Sequence, residues 1–120
     1  MAAPTNHATG TLAATVQVTE PATSIVSTIA VAGVFQFAVS LANMLAGDVV
    51  QLEVRQRLVA AGAVSGAWFQ EYTGVQSGED RVKISVPITN TIAEAGTVEL
   101  IIHQLYGTSR SFAWVVWKFA

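Results

Sequence analysis

"DVVQLEVRQRL", residues 48–58, carries the clearest period-two pattern in the chain. Val50, Leu52, Val54 and Leu58 fall on one side of an extended chain, and Gln51, Glu53, Arg55 and Arg57 on the other. Successive side chains of a strand point to opposite faces, so this is a strand with one dry and one wet face. The stretch before it, "GVFQFAVSL" (33–41), sends Phe35, Phe37, Val39 and Leu41 one way and Val34, Gln36, Ala38 and Ser40 the other. Further on, "RVKISVPI" (81–88) places Val82, Ile84, Val86 and Ile88 inward and Arg81, Lys83 and Ser85 outward, with Pro87 marking a strand end or edge.

Three more segments read as strands from their β-branched and aromatic content: "TLAATVQVTE" (11–20), "IVSTIAV" (25–31) and "AWFQEYTGV" (67–75). In "GTVELIIHQLYG" (96–107), Val98, Leu100, Ile102 and Tyr106 share a face, while the opposite one mixes Glu99 and His103 with Ile101 and Leu105. The last strand, within "RSFAWVVWKFA" (110–120), is apolar on both faces: Phe112, Trp114 and Val116 on one, Ala113, Val115, Trp117 and Phe119 on the other. Turn residues punctuate the chain at Gly33, 46–48, 60–66, 76–80, 93–96 and 107–110. This rhythm predicts an all-β fold, an antiparallel β-sandwich of jelly-roll type with seven or eight strands over residues 11–120. Residues 1–10 read as a flexible N-terminal arm.

The composition narrows the function. The 120 residues are 52% hydrophobic and 12% charged, against about 25% charged in an ordinary soluble domain, so part of the surface is expected to be covered. A net charge of -2 with scattered Lys and Arg offers no stripe for a phosphate backbone, and nucleic acid is not an expected partner. Polar residues interrupt every apolar run before the length of a membrane-spanning helix, and a membrane β-barrel is not expected because Phe119 is penultimate and eight long strands with aromatic girdles on both sides do not fit. There is no cysteine, and the only histidines, His7 and His103, have no second ligand at metal spacing. No G-x-S-x-G elbow or phosphate-cradling loop is present, and Glu79-Asp80 reads as a solvated turn. No catalytic residue, metal or cofactor is assigned.

The aromatics remain. Trp114, Trp117 and Phe119 sit on opposite faces of one strand, and a single two-layer core buries only one of them. The other face is read as a partner interface, with Pro4, Asn6 and His7 of the arm as a second contact. Trp68 and Tyr72 form an alternative platform for stacking sugar rings, which would make the chain a carbohydrate-binding sandwich.

Two stretches carry a family resemblance. "VSLANMLAG" running into "GDVVQLEVRQRLVAAG", and the ending "YGTSRSFAWVVWKF", resemble small virion proteins of tailed bacteriophages. Ser109 and Ala113 stand where that pattern has Gly and Pro. The resemblance spans roughly residues 10–119 and implies a capsid decoration or cement protein. Such a protein would sit on the outer surface of the virion head, bind the major capsid protein and associate with itself as a trimer or dimer. A tail or head-completion component is the alternative position in the particle.

Overall fold

The computed structural model describes residues 4–19 and 24–119. Nine strand segments follow one another: β1 (Thr5–Ala13), β2 (Ile25–Ile29), β3 (Gly33–Ser40), β4 (Val49–Gln56), β5 (Ser65–Thr73), β6 (Val82–Ile84), β7 (Ile88–Asn90), β8 (Val98–Tyr106) and β9 (Ser111–Lys118). Every pairing is antiparallel. One sheet has the order β1-β9-β3-β6, with β7 continuing the lane of β6 along β3; the other has the order β2-β8-β4-β5. The two sheets pack as a β-sandwich. Every successive connection except β4–β5 and β6–β7 passes from one sheet to the other.

The period-two reading locates the core. Phe35, Phe37 and Val39 of β3, Val50, Leu52 and Val54 of β4, Val98, Leu100 and Ile102 of β8, and Phe112 and Val116 of β9 are buried together between the sheets. On the outer side of β4, the Arg55 guanidinium meets Glu53 at 3.0 Å and Gln51 meets Glu71 at 2.9 Å, the expected wet face. The outer side of β8 is dry because the segment after β1 crosses over to this sheet. Gln17 N–H donates to the Gln104 carbonyl (3.1 Å) and His103 Nε2 donates to the Gln17 carbonyl (2.7 Å), which accounts for a buried histidine.

Four expectations change. Residues 5–10, expected in the arm, belong to β1 and pair with β9 from Lys118 to Trp114; Thr, Asn, Ala and Gly obscure the alternation there. The alternation of β4 stops at Gln56, so Leu58 is 78% exposed in the following loop. Tyr106, at the end of β8, is 51% exposed. The faces of β6 are reversed: Val82 and Ile84 point outward, and Lys83, opposite Val39, points inward. The cause is that β6 lies at an open rim, where an inward side chain need not be sealed. There the Lys83 ammonium sits 4.7 Å from the centre of the Tyr72 ring, a cation–π contact on a long apolar stem. Ser85 is buried instead, its hydroxyl accepting the Phe37 N–H at 3.0 Å in place of a strand carbonyl.

A carboxylate clasps one end of the sandwich. Asp48, 1% exposed, accepts Arg110 Nε at 2.8 Å, the Leu45 N–H at 2.9 Å and the Thr108 N–H at 3.2 Å. Gln104 holds the same turn, donating to the Thr108 carbonyl (2.8 Å) and accepting the Arg110 N–H (3.1 Å). Gly107 is required here: its φ is 99°, and a Cβ would fall onto Asp48 Oδ1. The opposite end has a neutral counterpart, in which Asn90 Nδ2 donates to the Val31 carbonyl (2.8 Å) and Thr97 Oγ1 donates to the Ile29 carbonyl (2.9 Å).

Burial pushes the Asp48 carboxyl up, but the hydrogen bonds from Arg110, Leu45 and Thr108 and the Arg110 charge outweigh it and hold it below its ordinary value. A carboxylate depressed in the folded state stabilises the fold above its unfolded pKa, near pH 4. That stability is lost as pH falls through the folded value. Acid melting curves should therefore steepen below about pH 4 for the native chain. Asp48→Ala should lower stability at neutral pH by about 3 kcal/mol, the low end for breaking a buried pair because Arg110 can rehydrate, and should blunt the acid limb.

Candidate interaction surface

The register of the five-stranded sheet identifies which side chains leave the core. Across its outer face run Asn6, Trp117 and Gln36; then Thr9, Val115, Ala38 and Ile84; then Thr11 and Ala113, with Ser40 beside Val82. None of these residues is charged. Val82 and Ile84 are 53% and 51% exposed, and Val86, just past β6, is 50% exposed. The outer side of β4 and β5 differs: it carries Glu53, Arg55 and Glu71, with Phe69 half-exposed opposite Glu53.

Small residues shape it. Ala38, Ser40 and Ala113 lie low between Trp117 on one side and Val82 on the other, leaving an apolar hollow of about 260 Å3. That is below the usual range of small-molecule pockets, about 300–1,000 Å3. It suits one or two inserted side chains better than a cofactor.

The sequence-predicted residues divide. Trp117 belongs to the outer face, and Phe119 continues the same side, half-buried, with its N–H bonded to the Val34 carbonyl at 2.8 Å. Trp114 is on the inner face and packs against the core, its ring lying over Gly10 so closely that a Cβ there would be 2.8 Å from Cζ2. Its ring is thus turned inward, partly buried against the core. Pro4, Asn6 and His7 are exposed at the start of β1, and the His7 ring meets the Phe35 ring edge-on at 5.1 Å. Asn6 joins the outer face beside Trp117; His7 does not, because its ring is turned to Phe35. Pro4 precedes the strand.

Trp68 and Tyr72 oppose Val54 and Val50 across β4 and pack against the core from the inner side. Burial raises the Tyr72 pKa. Half-buried rings turned inward, one of them already capped by Lys83, present no flat platform for a sugar. Val82, Ile84 and Val86 are the surface residues that reading the sequence missed. Lys83 was the available signal: a lysine flanked by apolar residues in a short strand fits an edge, where its stem can reach back over an aromatic ring.

Among the described residues no group of three His, Cys, Asp or Glu side chains is arranged to hold a metal ion, and no helix is long and apolar enough to cross a membrane. Comparison with protein families, with curated proteins and with solved structures returned no match.

Crowding Trp114 and removing Trp117 should have different costs. Gly10→Val forces the Trp114 ring out of place and should cost about 1–3 kcal/mol by overpacking. Trp117→Ser should shift stability much less, because the ring has no second layer over it. Urea unfolding of both variants checks the contrast.

Proposed function

We propose that the chain is a structural virion protein, a capsid decoration or cement protein that binds the major capsid protein on the outer surface of a tailed-phage head. The observation that supports it is the uncharged outer face around Trp117, Val115 and Ile84, left open on a sandwich whose other sheet carries its charges outward. An apolar area of this kind on a charge-poor chain is the ordinary mark of a protein partner. The hollow at Ala38 and Ala113 would take side chains of the shell protein as anchors. The phage assignment comes from the resemblance of residues 39–62 and 106–119, whose two stretches meet at the Asp48–Arg110 clasp. A decoration protein works by rigid shape and by repetition. Many copies, each with modest affinity, hold neighbouring shell subunits together through multivalency.

The test is occupancy of heads stripped of this chain. Ile84→Glu combined with Trp117→Glu puts two charges on the docking face without touching the core. Binding should weaken at least tenfold, about 1.4 kcal/mol, while the circular-dichroism melting curve stays close to native. Native occupancy by the double variant would contradict the proposal.

A further inference from the structure

The sheet that carries the docking face ends on one side at β1, nine residues long and reading TNHATGTLA. An edge strand leaves a row of N–H and C=O groups without strand partners, and proteins guard such rows with charge, proline, bulges or brevity. The other edges are guarded. The β6 and β7 lane is broken around Pro87 and carries Lys83; β2 has five residues and a register shift after Ile25; β5 carries Glu71 and is bent opposite Val54 and Arg55. By contrast β1 has no Asp, Glu, Lys, Arg or Pro, and its one irregularity, at His7, lies near its start. Thr9, Thr11 and Ala13 are exposed along it.

We propose that this edge pairs with β1 of a second copy, antiparallel across a two-fold axis at Thr9, so that the two sheets become one. A two-fold axis through an antiparallel pair must place one residue opposite itself, and Thr9 is the middle of the strand. Thr9 then faces its own copy on the outer side, a favourable cross-strand pair. On the inner side Ala8 meets Gly10, and the irregularity at His7, opposite Thr11, confines the regular pairing to the middle of the strand. An uncharged strand meets its own copy without repulsion, whereas selection of a foreign strand would call for charges or pockets that β1 lacks. The two-fold axis keeps both outer faces on the same side. The two copies of Trp117 and Val115 then share a single uncharged platform, with the two β9 strands three strand spacings apart, about 14 Å. The pairing deepens the proposed function by naming the self-contact. It is tested on the purified chain without particles, so its failure and that of the capsid reading are distinguishable.

The chain has no cysteine, so a single thiol reports the joint. Facing Cα atoms in an antiparallel pair are about 4.5 or 5.5 Å apart, both within disulfide reach. Thr9→Cys should cross-link to a covalent dimer on mild oxidation, whereas Thr73→Cys, at the end of the β5 edge, should not. Thr9→Lys sets two like charges against each other and should convert a sedimenting dimer to monomer with an unchanged circular-dichroism spectrum. If the lysine variant does not fold, the cysteine result decides alone. A native chain that is monomeric at all concentrations, a dimer that persists in Thr9→Lys, or equal cross-linking at both cysteines would overturn the pairing.

Discussion

The structure depends on a buried carboxylate being fully satisfied. Asp48 closes the turn that leads out of β3 and starts β4, and its oxygens also take Thr108 and Arg110 from the turn between β8 and β9. A carboxylate with almost no exposure must find donors on all sides, and Asp48 finds them on two turns distant in sequence. β9 enters the sheet from that held turn. It then lies between β1 and β3 with Phe112 and Val116 in the core and Val115 and Trp117 outside.

Much of the fold can be read from side-chain alternation where the strands are central. Phe35, Phe37 and Val39, and Val50, Leu52 and Val54, are buried as their period requires, because strands covered on one face by a second sheet cannot slip by one residue. The opposite placement of Trp114 and Trp117 is also legible, since both faces of that strand are visibly apolar. Legibility fails at the edges. The inward position of Lys83 and the exposure of Ile84 depend on β6 lying at a rim, and nothing local to "RVKISVPI" states which strand will stand across from it. Trp68 and Tyr72 mislead for a related reason, because amphipathic rings serve equally at a half-open rim or a binding platform. The first residues of β1 are hidden by small polar side chains whose pairing with β9 is a tertiary fact. Asp48 is the largest omission: an acid in a Gly-Asp turn looks solvated until Arg110 is known to be beside it.

The two sheets divide the work. The charged outer side of β4 and β5 keeps one face in water, with Arg55 on Glu53 and Gln51 on Glu71. The other sheet spends its outer face on Thr, Ala, Val, Ile and Trp and so favours contact with another surface. The same lack of charge along β1 favours contact sideways with a second copy. Under the proposed function, the uncharged face would meet the shell and the neutral β1 edge would meet a second copy.

The most direct measurement is the position and copy number of this chain in a density gradient of native particles, read by mass spectrometry against the major coat protein. For the proposed cement role, hundreds of copies travelling with the head are expected. A handful of copies, or sedimentation apart from the particle, would contradict it.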